Sequence, residues 1–179
     1  MKMNEIVLKP PTAEYGEQIM AYRREFLEAG DELDGCCGLH KFESFEEWLA
    51  KVKKLSTPET CPGDHIPDTQ YLAVRESDNK LIGMIDLRHH IDHPVLSMFG
   101  GHIGYSVRPC ERRKGYAKEM LRQCLEKARE RGLTWVMISC NIHNPGSERT
   151  ILANGGVFQR EIFVPEENDT MKIFWIELK

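Results

Sequence analysis

The 179-residue sequence has no apolar run approaching the roughly 20 residues that a membrane-spanning helix needs. No long apolar segment follows the first residues, Met1 to Glu5, so they do not read as a secretion signal. We therefore expect a cytoplasmic protein that does not engage a membrane. The chain also lacks repeats, low-complexity tracts and interdomain linkers, which predicts a single domain over residues 1–179.

Motifs for structural zinc and for the common nucleotide folds are missing as well. Six cysteines are present, but no pair has the short spacing of a zinc knuckle, and we expect reduced thiols rather than disulfides. Cys124 and Cys140 lie on apolar stretches and are interpreted as small core residues. Neither a Walker pattern nor a Gly-x-Gly-x-x-Gly run occurs. The net charge of −4 disfavours a nucleic-acid partner.

The residues from Gly101 to Gly132 form the most informative stretch. Ile103, Tyr105 and Val107 alternate with smaller or polar residues, which predicts a strand that Pro109 ends. A long amphipathic helix follows, and Gly132 is its expected stop. Its apolar residues recur every three or four positions and are Ala117, Met120, Leu121, Cys124, Leu125 and Ala128.

The joint between this strand and this helix is basic and contains a glycine, in the run Arg112 to Ala117. The first N–H groups of a helix have no partner inside it, and the helix dipole makes that end positive. Gly115 permits close approach of a ligand. The pattern is typical of a diphosphate site built mainly from main chain. An ordinary strand-to-helix turn with a solvated basic face is the alternative.

The pattern Arg112-x-x-Gly115-x-Ala117 resembles the acetyl-CoA-binding signature of the GNAT N-acetyltransferases, Gln/Arg-x-x-Gly-x-Gly/Ala. The resemblance extends through Asn144-x-x-Ser147 and Asn154-Gly-Gly, and so covers roughly the C-terminal half. It implies an α/β GNAT fold, with a mixed central sheet of about seven strands, a splay between the fourth and fifth, and about four flanking helices. It also implies acetyl-CoA as co-substrate and an amine acceptor, joined by direct attack without a covalent enzyme intermediate. A homodimer is left open.

The resemblance also assigns the contacts to acetyl-CoA. The turn and helix start would hold the diphosphate, the end of the preceding strand would bind the pantetheine arm, and a later helix start would contact the same ligand. These residues are Ser106, Val107, Arg108, Arg112, Arg113, Lys114, Gly115, Tyr116, Ala117, Lys118, Asn144 and Ser147. Asn144 also suits the cap of a helix that begins at Pro145.

Catalytic residues are harder to assign. His102 is the predicted base or proton-path residue, because it lies on the strand before the turn and an imidazole with a pKa near ~6.5 accepts a proton at neutral pH. The alternative is that it merely faces solvent or a neighbouring strand. The tyrosine that usually protonates the leaving thiolate falls at Ile151, so Ser147, water or no dedicated acid remain open. Tyr105 is interpreted as a core residue or part of the wall of the site.

The missing tyrosine motivates a second hypothesis, a catalytically silent acyl-CoA-binding or sensor domain.

Three histidines, His89, His90 and His93, raise the question of a metal site. Strand-end neighbours point in opposite directions and no histidine pair has helical spacing, so no metal is expected. We interpret this segment as a polar loop at the acceptor site, together with residues 31–41 and 56–69. The acidic residues of these loops hint at a cationic amine, but no motif identifies it.

Periodicities and turn signals along the rest of the chain predict the order βααβββαβαββ. The strands are expected at 6–8, 70–75, 81–87, 101–108, 134–140, 157–164 and 170–178, and the helices at 12–29, after Ser44, before Gly132 and at 145–153.

Overall fold

The computed structural model describes residues 5–179, so the prediction of no secretion signal at residues 1–4 lies outside that range. The predicted order of strands and helices is confirmed, with ends that differ by a few residues. The strands are β1 (Ile6–Lys9), β2 (Asp68–Arg75), β3 (Lys80–Arg88), β4 (Ile103–Val107), β5 (Trp135–Asn141), β6 (Val157–Val164) and β7 (Asp169–Glu177). The helices are α1 (Gly16–Ala29), α2 (Phe45–Leu55), α3 (Tyr116–Glu130) and α4 (Pro145–Ala153). Within the described range, no helix is long and apolar enough to cross a bilayer.

The seven strands fall into two antiparallel sheets. One has the order β1-β2-β3-β4 and the other β5-β7-β6. Their facing edges, β4 and β5, meet only at one end, where the His102 N–H donates to the Met137 carbonyl at 2.8 Å. The Met137 N–H in turn donates to Nδ1 of His102 at 2.9 Å. Beyond this junction, no main-chain hydrogen bond joins the two strands in residues 5–179, which confirms the predicted splay.

Gly101 explains why the two strands can touch at this end. Its φ is +67°, and a Cβ atom there would lie 2.6 Å from the Met137 carbonyl oxygen. Only glycine combines this conformation with so close an approach. Past the junction the strands diverge, and we call the resulting gap between β4 and β5 the seam.

Two hydrophobic cores cover opposite faces of the first sheet. On one face, α3 packs its apolar stripe, including Met120 and Cys124, against Ile82 and Ile85. On the other, α1 and α2 pack against residues such as Leu81, Leu72 and Met84. Strand β3 is therefore buried on both sides, which accounts for its nearly continuous apolar sequence. Cys124 and Cys140 are buried as predicted, and all six cysteines are free thiols.

A buried carboxylate fixes the turn between β4 and α3. Glu111 accepts hydrogen bonds from Lys80 at 2.8 Å, from Lys114 at 2.9 Å and from Arg75 at 3.2 Å. The bond from Lys80, followed by that from Lys114, lowers the pKa of Glu111 from 4.5 to about 2. Arg75 also donates to the hydroxyl of Tyr116 at 3.1 Å, at the first position of α3. The basic turn is thereby tied to β2, β3 and α3.

We expect Glu111→Gln to lower the free energy of unfolding by about 2–4 kcal/mol at pH 7, because it removes the charge of a buried side chain that accepts hydrogen bonds from three cationic side chains. Since folding lowers the pKa of Glu111, its stabilisation is complete above about pH 4.5 and is lost as the pH falls towards 2. Urea unfolding of both proteins between pH 3 and 8 measures the difference. Glu126→Gln is the control, because its exposed pair with Arg122 contributes less than about 0.5 kcal/mol. A constant difference across the pH range would contradict the assignment.

Candidate active site

A cleft of about 1580 Å³ follows the seam and the turn after β4. It is lined by the ends of β4 and β5, the start of α3 and the start of α4. Ten of the twelve residues predicted to bind acetyl-CoA line it, namely Ser106, Val107, Arg112, Arg113, Gly115, Tyr116, Ala117, Lys118, Asn144 and Ser147. Arg108 and Lys114 do not. The structure thus brings together residues that are up to about forty positions apart in the sequence.

Main-chain amides dominate the turn. In the described part of the chain, no acceptor lies within hydrogen-bonding distance of the N–H groups of residues 113–115, 117 and 118. Gly115 has a φ of +86°, and the place of its missing Cβ is open, with no atom within 4 Å. Arg113 is also left-handed, with a φ of +61°. These amides lie at the positive end of the 15-residue helix α3 and form a concave anion site.

The basic side chains of the turn divide into two groups. Nε of Arg112 donates to the Val107 carbonyl at 3.0 Å, and its Nη1 lies 2.9 Å from Asp31. Lys114 is held by Glu111, as described above. Arg113 and Lys118, in contrast, are exposed and form no ion pair within residues 5–179. Arg112 and Lys114 therefore brace the turn, while Arg113 and Lys118 leave positive charge available to a ligand.

The main-chain groups of β4 alternate in direction, one residue facing β3 and the next facing the seam. The Arg108 N–H donates to the Ile82 carbonyl of β3 at 2.9 Å. Because main-chain groups of a strand alternate between its two neighbours, Ser106 also faces β3, whereas Tyr105 and Val107 face the seam. The N–H groups of Ser106 and Arg108 are therefore directed to β3, so the predicted contact of either residue with pantetheine remains a prediction that this geometry does not favour. That of Val107 remains a prediction that this geometry favours.

Side chains of Ser106 and Arg108 have structural partners instead. The Ser106 hydroxyl donates to the carbonyl of Asp34 at 2.7 Å and shares a hydrogen bond with Tyr22 at 3.0 Å. Nε of Arg108 lies 3.2 Å from Glu25, and its guanidinium stacks over Tyr22. Both residues thus fasten the loop after α1 and α1 itself to β4.

Two hydroxyl groups meet at the start of α4. The Tyr105 hydroxyl lies 2.6 Å from Oγ of Ser147, and both residues line the cleft. Burial raises the pKa of Tyr105, so the phenol keeps its proton at neutral pH. Asn144 accepts from the Ser147 N–H at 3.0 Å and caps α4. Ile151, at the position of the usual tyrosine, is fully buried in the core.

His102 lies at the closed end of the seam. Its side chain is buried and does not line the cleft. The Met137 N–H occupies its Nδ1 lone pair, and burial lowers its pKa. A base role for His102 remains a prediction, but its contacts are those of a residue that joins the two sheets.

A second cavity of about 460 Å³ adjoins the cleft, and Asp34 and Arg88 line both. Asp34 is an exposed residue, but desolvation of its carboxyl group, followed by the charges of Glu32, Asp86 and Glu167, raises its pKa from 3.8 to about 6, against the opposing effect of Arg88. The sequence placed the loop of Asp34 beside the acceptor but offered no signal that singled out this residue. Asp34 is held in place by the hydrogen bond from the Ser106 hydroxyl to its main-chain carbonyl. That bond is a tertiary contact, which the sequence does not show.

The three histidines of the loop after β3 do not converge. Nε2 of His89 lies 2.7 Å from the Thr69 hydroxyl. The Nδ1 atoms of His90 and His93 accept from the nearby N–H groups of residues 92 and 95. His93 lines the second cavity, which fits the predicted acceptor-site loop.

The divided sheet, the open strand edge and the amide-lined turn together define the fold of an acyl-CoA-dependent N-acyltransferase. A sequence profile of the acetyltransferase (GNAT) domain matches residues 40–157, more than half of the chain. The chain therefore belongs to the GNAT family and is an acetyltransferase of that type. No curated protein sequence matches it significantly.

Solved structures agree with this fold. A chimera of the spermidine N-acetyltransferase SpeG from Vibrio cholerae and hSSAT superposes with a TM-score of 0.67 at 15% identity, covering 97% of this chain and 95% of that one. The microcin C7 self-immunity acetyltransferase MccE, solved with acetyl-CoA and AMP, gives a TM-score of 0.68 at 14% identity, with 97% and 93% covered. At these identities the likeness concerns the fold alone.

Proposed function

We propose that the protein transfers an acetyl group from acetyl-CoA to a primary amine by direct attack within a ternary complex. The observation that carries the proposal is the row of unpaired amides at residues 113–115, 117 and 118, which opens into the seam. The diphosphate would lie on these amides, beside Arg113 and Lys118. The pantetheine arm would follow the seam along Val107. Such an arrangement would bring the thioester towards Tyr105 and the mouth of the second cavity.

Asp34 suits the role of general base. It stands where the acetyl-CoA cleft meets the second cavity, and a carboxylate with a pKa of about 6 is largely ionised at neutral pH. In the proposed reaction Asp34 accepts a proton from the acceptor's ammonium group. The freed nitrogen then forms a bond to the thioester carbonyl carbon, and the carbon–sulfur bond breaks.

Tyr105 suits the role of general acid that Ile151 cannot fill. Its phenol keeps its proton, and the Ser147 hydroxyl fixes its orientation within the cleft. In the proposed reaction it gives that proton to the leaving thiolate of coenzyme A, and the second proton lost by the acylated nitrogen restores the phenol. The acid would thus come from β4 rather than from α4. A homodimer and a cytoplasmic location remain predictions.

Isothermal titration with acetyl-CoA tests the cofactor site. We expect Gly115→Glu to abolish measurable binding, because a carboxylate would occupy the path of the diphosphate. Gly132→Glu is the matched control, since Gly132 also has a positive φ, of +91°, and open space for a side chain, but lies outside the cleft. It carries the same backbone strain and the same added charge. Binding that survives Gly115→Glu, or is lost equally in both variants, would refute the amide site.

Thiol release over a panel of amines measures turnover. We expect kcat/KM for the best amine to rise with pH through about 6, because Asp34 must be ionised to act as a base. Asp34→Asn should lower kcat/KM by about 10²-fold or more and remove this inflection. His102→Gln, compared over the same range, should keep it. An inflection that persists in Asp34→Asn and vanishes in His102→Gln would return the role to His102. No release with any amine would favour a silent binding domain.

Tyr105→Phe tests the proton donor. We expect kcat to fall by about 10-fold or more with little change in the Kd of acetyl-CoA, because the phenol acts on the leaving group. Tyr71→Phe is the control, since Tyr71 is another half-buried tyrosine that packs against the same core but lies outside the cleft. Equal kcat values for the two variants would remove Tyr105 from the mechanism.

A further inference from the structure

The second cavity has an acidic inner wall. Asp68 at the start of β2 and Asp86 on β3 both line it, and both are buried, with Asp68 only 7% exposed. Oδ1 of Asp68 has no hydrogen-bond partner in the described part of the chain. Burying a carboxylate oxygen without a hydrogen-bond donor costs free energy. We therefore expect a ligand to supply the donor for this atom.

The two carboxylates differ in how well they are satisfied. Oδ1 of Asp86 accepts the Gly104 N–H at 2.9 Å and lies 3.7 Å from the guanidinium of Arg88. Asp68 receives only a weak hydrogen bond, from the thiol of Cys37 to its Oδ2 at 3.5 Å. Asp86 therefore has a close donor and a nearby guanidinium, whereas no described group donates a hydrogen bond to Oδ1 of Asp68.

A metal ion fits this wall poorly. The Cys37 sulfur and the two carboxylates lie within 4.8 Å of one another, as metal ligands would. Oδ1 of Asp86, however, is already engaged by the Gly104 N–H, which leaves few free ligand atoms for a metal ion. The guanidinium of Arg88 beside Asp86 would also repel a divalent cation. Hydrogen-bond donors that carry a single positive charge match the orphaned oxygen better.

The cavity adjoins the acetyl-CoA cleft. Asp34 lines both, and Leu33, Leu55, Ile66 and Leu96 add apolar lining to the cavity. Two carboxylates thus line one shared space, Asp34 where it adjoins the cleft and Asp68 on its buried acidic wall. The volume of about 460 Å³ lies within the range for small organic ligands.

We propose that the acceptor is a dibasic amine: the nitrogen to be acetylated lies at Asp34, and a second ammonium or guanidinium group is bound by Asp68. The spacer between the two groups packs against the apolar lining. This inference rests on the proposed function for its reaction, but the cationic subsite at Asp68 can be tested by binding alone.

The test is titration calorimetry at neutral pH with short straight-chain diamines and with the monoamines of the same length. At least one diamine should bind about 10-fold or more tightly than its monoamine. Asp68→Asn should bring that ratio close to one, because it keeps the shape of the side chain and removes its charge. Glu126→Gln, which makes the same change in net charge on the exposed face of α3, should keep the ratio of the unaltered protein.

A second measurement needs no substitution. Asp68 is faced by Cys37 from the loop after α1, Lys51 from α2, and Asp86 and Arg88 from β3. Burial, followed by the charge of Asp86, raises the pKa of Asp68 well above its usual range, so the empty site holds a proton. Binding of the diamine should release it. Titrations in buffers of different ionisation enthalpy would then give different apparent heats, and the monoamine should show a smaller effect.

Equal affinity for diamine and monoamine, no binding by either, or a preference that survives Asp68→Asn would each overturn the inference. So would binding of Zn²⁺ or Mn²⁺ alone that depends on Asp68. The Kd of acetyl-CoA, measured on the same samples, separates this result from the proposed function. An unchanged Kd in Asp68→Asn shows that the variant is folded, and failure of the unaltered protein to bind acetyl-CoA would refute the acetyltransfer proposal instead.

Discussion

The architecture depends on one short contact between two sheets. His102 and Met137 exchange two hydrogen bonds at the closed end of the seam, and Gly101 lets the chains approach there. Beyond that point, no main-chain hydrogen bond joins the facing edges of β4 and β5 within residues 5–179. Main-chain groups in a protein interior almost always find partners, so an unpaired edge inside the fold is a place for a ligand. Closing the seam would satisfy these groups and remove the site.

Electrostatics divide this small acidic protein into two regions of opposite charge. The turn after β4 gathers cations, and buried Glu111 holds Lys80, Lys114 and Arg75 beneath it. The second cavity gathers carboxylates instead. In the proposed reaction, an anionic ligand on one side and a cationic one on the other would meet in the seam, and each region would select one of the two substrates. The overall net charge conceals this arrangement.

The fold and the amide-lined turn before α3 could be predicted because their signals are local. Strand alternation, the stripe of α3 and the glycine turn at Gly115 each depend on neighbouring residues. The direction of the main-chain groups of β4 could not be predicted, because it depends on the register with β3, which directs the Ser106 N–H to β3 and the Val107 N–H to the seam. The sequence also favoured His102 for its imidazole, whereas the structure uses that ring as a main-chain acceptor.

For a related reason, the sequence did not predict the proposed roles of Asp34, Asp68 and Tyr105. Tyr105 and Asp68 are set apart by burial, and Tyr105 also by its hydrogen bond with Ser147. The position of Asp34 depends on a hydrogen bond from the distant Ser106 hydroxyl to its main-chain carbonyl. An acidic residue in a polar loop looks the same in the sequence whether it faces solvent or an enclosed cavity. Ile151 showed only that the usual acid was missing. The hydroxyl that could replace it became apparent when β4 and α4 were brought together.

The single junction between the sheets has a thermodynamic consequence. A linear ligand in the seam would lie between β4 and β5 as an additional strand would. It would bridge two sheets that otherwise meet at the His102–Met137 junction and pack against the same helices. Binding of the ligand then stabilises the folded protein, and the free energy of unfolding rises with the logarithm of the free ligand concentration. The pool of acyl donor in the surroundings would set how firmly the two halves hold together.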